Sequence, residues 1–222
     1  MTDSILDQAV FGAYEVLANI IPGTVLLITG VLLLLPTDLI RNLAAIPEGI
    51  TLTILLFLAF ILGVATQALS AFLETFVNRK KYGGYPSSLY LKDQDPTFPE
   101  YFKDKIRRVL HADYGMPLGS APGHVFDLCY TYVMQENLSS RVPQFLRTYV
   151  FARNLMVTMI IEAGICLASW PLHQYERWII FAMLLSLALS YLFYRRFLRY
   201  GESFAKEVLK SYFVNRAKAH RR

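Results

Sequence analysis

The sequence predicts an all-α integral membrane protein, with four transmembrane helices as two hairpins and a helical cytoplasmic segment between them. Three observations predict it. Apolar residues make up 55% of the 222 residues and charged residues 18%, with a mean hydropathy of +0.36, against roughly 45–50% and about 25% in soluble domains. The apolar excess lies in four blocks, each approaching the roughly 20 residues that cross about 30 Å of hydrocarbon. The Lys and Arg residues gather between and after these blocks rather than inside them. This pattern excludes disorder, a collagen-like fibre and a disulfide scaffold, and it disfavours an ordinary soluble enzyme.

The N-terminal hairpin, 1–73, holds spans from about Leu17 to Leu35 and from about Ile50 to Leu73, the second without a charged residue. Asp3, Asp7 and Glu15 precede the first span where a signal peptide carries bases, so it is expected to be retained. Pro22-Gly23 interrupts that span and is expected to kink it, since Pro removes a backbone donor and crowds the preceding turn. The cytoplasmic segment, 74–150, opens with Arg79-Lys80-Lys81 and a Gly- and Pro-rich turn from Tyr82 to Pro86. Helices are expected from Pro99 to Ala112, closed by Gly115, and from Gly123 to Gln135. Ser139-Ser140 is expected to cap a third helix running without a break into the third span. The segment reads as too short and broken for a large core of its own, and so is expected to pack on the span ends or on neighbouring subunits.

The C-terminal hairpin, 151–194, holds spans from about Leu155 to Trp170, interrupted by Glu162, and from about Trp178 to Tyr194. The tail, 195–222, is basic, with Phe204, Val208, Leu209 and Tyr212 at helical spacing. Such an amphipathic helix suits anionic lipid or a partner, and nucleic acid is disfavoured because no binding motif accompanies the charge. Orientation follows from the bases. The link Pro36–Gly49 holds only Arg41 and the link Pro171–Arg177 only Arg177, whereas Glu74–Arg153 holds eleven and the tail after Tyr194 nine. Both termini are therefore expected inside the cell.

Polar groups inside the spans are the candidate sites. Glu162 falls near the bilayer centre, where an ionised carboxylate is costly unless paired, hydrated or neutralised. Thr66, Gln67 and water, or the same residue of another subunit, are its expected partners. Gly63, Gln67, Ser70 and Glu74 are spaced 4, 3 and 4 apart, which places them on one helix face directed at another helix or a cavity. Ala182, Ser186 and Ser190 form a small-residue stripe on the fourth span. Arg79, Lys80, Lys81, Arg195, Arg196 and Arg199 are the candidate lipid or partner contacts. His111, Asp113, His124, Asp127 and Cys129 match no zinc or hydrolase pattern, so no catalytic residue, metal ligand or cofactor site is assigned. Cys129 and Cys166 read as free thiols.

The run Tyr14 to Gly23, the run Gly63 to Glu74, Cys129-Tyr130-Thr131-Tyr132, Ser140-Arg141 and Phe151-Ala152-Arg153 resemble small four-span bacterial membrane proteins. These are similar to the membrane components of prokaryotic antiviral systems, including CRISPR accessory proteins. The resemblance implies homo-oligomerisation at the bacterial inner membrane, with anionic lipids and a cytoplasmic defence protein as further partners. It points to a non-enzymatic sensor or effector acting by membrane perturbation or pore formation. An integral-membrane lipid-modifying enzyme and a small ion channel or transporter are the alternatives.

Overall fold

The computed structural model describes residues 2–36, 47–82, 84–92, 95–115, 117, 121–173 and 176–219, with side chains at 16 and from 18 onward apart from 113, 173 and 217–219. Arg41 and the Asp113 side chain therefore lie outside the described residues. Among the described residues every regular element is helical. In chain order these are α1 (Thr2–Leu34), α2 (Glu48–Tyr82), the single turn α3 (Pro86–Leu89), α4 (Glu100–Tyr114), α5 (Pro122–Gln135), α6 (Arg141–Ser169), a 3₁₀ turn (Trp170–His173) and α7 (Arg177–Ala219). The chain divides into two compact units. Unit 1 comprises Met1–Leu73 and Val150–Arg196, and unit 2 comprises Glu74–Tyr149 and Phe197–Arg222. α2, α6 and α7 supply residues to both.

Unit 1 is a helical bundle whose connectivity can be read from its contacts. α1 and α2 cross antiparallel and nearly touch backbone to backbone. A Cβ on Gly23 would lie 1.7 Å from the Ala59 carbonyl oxygen, and one on Gly63 would lie 1.9 Å from that of Asn19. Only glycine permits this approach, which in lipid supplies the van der Waals contact that drives helix association. Helix α1 continues through Pro22, which is buried at the crossing. α6 is the inner helix, with every residue from 152 to 159 buried. The Ser70 hydroxyl of α2 reaches Asn154 of α6 at 2.6 Å, and the Ser190 hydroxyl of α7 donates to the Met156 carbonyl at 3.1 Å. At the other end of α6, Cys166 packs with Leu33 of α1 and Ile179 of α7.

The outward faces of this bundle are apolar. Leu52, Phe57 and Phe72 of α2 are exposed, as are Phe181, Leu184 and Leu192 of α7. α2, α6 and α7 are each long and apolar enough to cross a membrane, while the described apolar part of α1, Ala18–Leu34, is shorter. The chain is thus all-helical with several long apolar helices, the coarser form of the expected class.

Unit 2 corrects one expectation. The central segment does have a core, because the C-terminal part of α7 completes it. Leu91, Phe102, Ile106, Leu110, Phe126, Cys129 and Val133 pack with Ala205, Val208, Leu209 and Tyr212. The tail's apolar stripe is therefore spent on protein packing: Val208, Leu209 and Tyr212 are fully buried, and α7 runs unbroken past Tyr194. Phe98, Phe102 and Phe213 form a continuous stack with centroid separations of 4.5 and 4.4 Å.

Local signals placed the unit 2 helices well. Pro99 caps α4, and Gly115 ends it in the left-handed conformation at φ +63°, with its N–H on the His111 carbonyl. Ser139 accepts from the Arg141 N–H at the start of α6 and donates to Glu207. Lys103 is buried, and its ammonium donates to the Lys92 and Asp95 carbonyls at 2.6 and 2.7 Å, with Glu100 at 3.5 Å. Arg107 holds the same connection through the Leu91 carbonyl at 2.8 Å. Two cations thus take the place of regular structure in the link to α4.

Candidate functional site

On α6, the residues Asn154, Thr158, Glu162, Cys166 and Ser169 fall 4, 4, 4 and 3 apart. At 3.6 residues per turn they share one face, and that face points inward: all are buried except Glu162, which is half-buried. A polar seam therefore runs along the inner helix of a bundle whose outer surface is apolar. In lipid this is where polar groups belong, since turning them outward is costly.

Most of the hydroxyls along the seam satisfy their donors locally. Thr158 donates to the Asn154 carbonyl at 3.0 Å and Ser169 to the Cys166 carbonyl at 3.0 Å. Thr66 on α2 and Ser186 on α7 donate to the carbonyl four residues back on their own helices, at 2.8 and 2.9 Å. Besides the Ser190–Met156 link, two links reach seam side chains from other helices among the described residues: Ser70 to Asn154, and Thr29 on α1, whose hydroxyl donates to the Glu162 carboxylate at 3.3 Å. The expected partners of Glu162 were Thr66 and Gln67, and the structure puts Thr29 there instead. α1 runs beside α6 in the same direction, so the third turn of its apolar stretch meets Glu162.

The predicted α2 stripe is realised with one change. Gly63, Thr66, Ser70 and Glu74 are buried, and Gln67 is half-buried at its edge. In unit 2, Glu74 accepts from the Tyr149 hydroxyl at 2.6 Å. The Tyr149 ring stacks on Phe197 at 4.8 Å and lies where a Cβ on Gly201 would meet it at 2.7 Å. Gly201 is thus small so that a ring can carry its hydroxyl to a buried carboxylate. Of the small-residue stripe on α7, Ser186 and Ser190 are buried and Ala182 is half-buried.

The candidate lipid or partner contacts Arg79, Lys80, Lys81, Arg195, Arg196 and Arg199 are all exposed. Arg79, Lys80 and Lys81 form the last turn of α2, where positive charge suits the helix dipole. His111, His124 and Asp127 are exposed on α4 and α5. Cys129 is buried in the unit 2 core, and burial pushes its thiol well above the ordinary range. Among the described residues no three His, Cys, Asp or Glu side chains gather to hold a metal ion. The Thr29–Glu162 pair and the line through Asn154 and Thr158 were missed in the sequence; their signal was the four-residue spacing on either side of Glu162. No protein-family model, curated protein or solved structure matches the chain.

Proposed function

We propose that this chain is an oligomeric inner-membrane effector that acts by perturbing the membrane, with unit 2 receiving the cytoplasmic signal. The observation that carries this reading is the distribution of polarity. Unit 1 exposes Leu, Ile and Phe on α2 and α7 and keeps Asn154, Thr158 and Glu162 inside, which suits hydrocarbon outside and a polar element within. A groove of about 350 Å³ between α1 and α2, lined by Leu27, Val31, Leu52, Leu56 and Ala59, adds acyl-sized apolar relief to that surface.

The orientation is both termini inside. Both tryptophans, Trp170 and Trp178, flank the turn between α6 and α7, as anchors at a membrane interface do. The bases lie beyond the opposite ends of the same apolar runs. Oligomerisation rests on the resemblance, since the small and polar residues of the interhelical faces already pack within one chain. The antiviral setting rests on the resemblance of the quoted sequence runs. Glu162 on an inner seam also favours a channel or transporter as the second reading, whereas the exposed, separated His111 and His124 give a lipid-modifying enzyme no observation of its own.

Three measurements test the proposal. A reporter active only in the periplasm, fused after Arg222 or within Ser87-Ser88, should stay silent. The chain should migrate as an oligomer in mild detergent with native-like lipid. When the effector is triggered in cells, a potential-sensitive dye should report depolarisation. A monomer that leaves the potential unchanged overturns the reading, and defence genes in the gene neighbourhood would support its antiviral setting.

A further inference from the structure

The seam on α6 leaves two hydrogen-bonding capacities unused. Asn154 is fully buried, and its Nδ2 has no partner among the described residues. Leaving a buried donor unmet costs about 1–3 kcal/mol, and proteins meet such groups with buried water. Glu162, eight residues further along the same face, accepts one bond from Thr29, and a carboxylate has about four acceptor positions.

The spacing decides which ligand fits. Residues four apart on a helix are separated by about 6 Å along its axis, close to two hydrogen bonds of about 2.8 Å laid end to end. One water between successive polar groups spans that gap. A bound metal cation would instead need several oxygens around a single point, and the seam sets its oxygens out in line. Thr158 already donates to a carbonyl, so toward a water its hydroxyl oxygen would act as an acceptor, and Asn154 Nδ2 would act as a donor.

We propose that the seam from Asn154 past Thr158 binds a file of water molecules that gives the Glu162 carboxyl a proton route from the Asn154 end of the bundle. The step moves protons alone. An O–H bond of a hydronium ion in the file breaks as an O–H bond forms on the Glu162 carboxylate; each water passes one proton on, and the reverse restores the carboxylate. Water is the only co-reactant. The inference deepens the effector reading and rests on it for the lipid around unit 1.

The experiment is infrared spectroscopy of the full chain in vesicles of phosphatidylethanolamine and phosphatidylglycerol. The carboxyl band of Glu162 is identified by its loss in Glu162→Gln. In the parent chain that band should shift on exchange into D₂O. Asn154→Leu and Thr158→Val should slow the exchange at least about tenfold, the scale of one lost buried hydrogen bond, while Thr158→Ser should restore it. Circular dichroism and size in detergent establish that each variant is folded. A Glu162 band deaf to D₂O, or one exchanging equally fast in the folded Leu and Val variants, overturns the proposal. Seam-dependent exchange without any effect on cellular membrane potential leaves the water file standing and removes the effector reading; depolarisation with seam-independent exchange does the reverse.

Discussion

In unit 2 the hidden side chains include Leu91, Ile106, Leu110 and Val208, and the surface carries Lys105, Arg108 and Lys210. In unit 1 the surface carries Leu52, Phe57 and Phe181, and the inner face of α6 carries Asn154, Thr158 and Glu162. Unit 1 also buries apolar residues such as Leu155, Met156 and Val157, but it turns apolar residues outward as well and threads a polar seam through its interior. Unit 2 has the polarity order that the hydrophobic effect imposes in water. Unit 1 has the order expected where the surroundings are as apolar as leucine, so that close packing and hydrogen bonds hold helices together. Two further details follow the contrast. The Gly23–Gly63 crossing brings two helix backbones close together in unit 1, while among the described residues stacks with ring centroids under 5 Å apart occur in unit 2.

The contrast can be broken at one unit or the other. The largest effect is expected from Gly63→Leu, which drives a side chain into the Asn19 carbonyl. Separating two helix backbones should cost at least about 3 kcal/mol and abolish the monodisperse species in detergent. A Gly63→Leu chain with parental melting would refute the crossing. Next is Lys103→Met, which strips the ammonium from the Lys92 and Asp95 carbonyls. Unit 2 should lose about 2–3 kcal/mol in urea unfolding, and the α-helical signal of unit 1 should persist beyond that transition. Joint loss of both units at one midpoint would show that they do not unfold independently.

Tyr149→Phe should cost about 1–3 kcal/mol, because Glu74 loses the donor it meets at 2.6 Å. A neutral outcome in thermal denaturation would mean that Glu74 is satisfied by other groups. The smallest effect is a pH dependence. Burial raises the Cys129 thiol in the folded state, so the folded chain holds that proton at pH values where the unfolded chain releases it. The stabilising contribution is complete below the thiol's ordinary pKa of about 8.5 and falls as pH rises above it, by about 1.4 kcal/mol per unit. Unit 2 should therefore weaken between pH 8.5 and 10, a range set by that ordinary pKa, and Cys129→Ala should flatten the slope. An unchanged slope would assign the alkaline loss to other groups, with Tyr90 and Tyr130, also raised by burial, the first to examine.

The helices themselves were legible because their signals are local. Pro99 and Gly115 bound α4 within a residue or two of the expected positions, and Ser139 marks the entry to α6. The unit 2 core was not legible, because its two parts are separated by the hairpin 150–196; the stripe on Val208, Leu209 and Tyr212 announced an apolar face without saying whether lipid or protein would cover it. The seam was hidden differently. Starting the third span at Leu155 leaves Asn154 outside it, and Glu162 then reads as an isolated interruption. Thr29 gives no warning at all, since a threonine inside an apolar run is ordinary and its partner lies 133 residues away.

The division of unit 2 into two chain segments has a consequence for biogenesis. Residues 74–149 leave the ribosome with the face of Ile106, Leu110 and Cys129 uncovered, and they stay so until Val208, Leu209 and Tyr212 are made. At about 5–20 residues per second, the intervening hairpin imposes a delay of several seconds. During that interval an apolar half-domain sits tethered between two helical hairpins, one already made and one still being synthesised. A nonsense codon between Tyr194 and Val208 would leave that surface permanently bare, marking the product for proteolysis even though every apolar run had been synthesised.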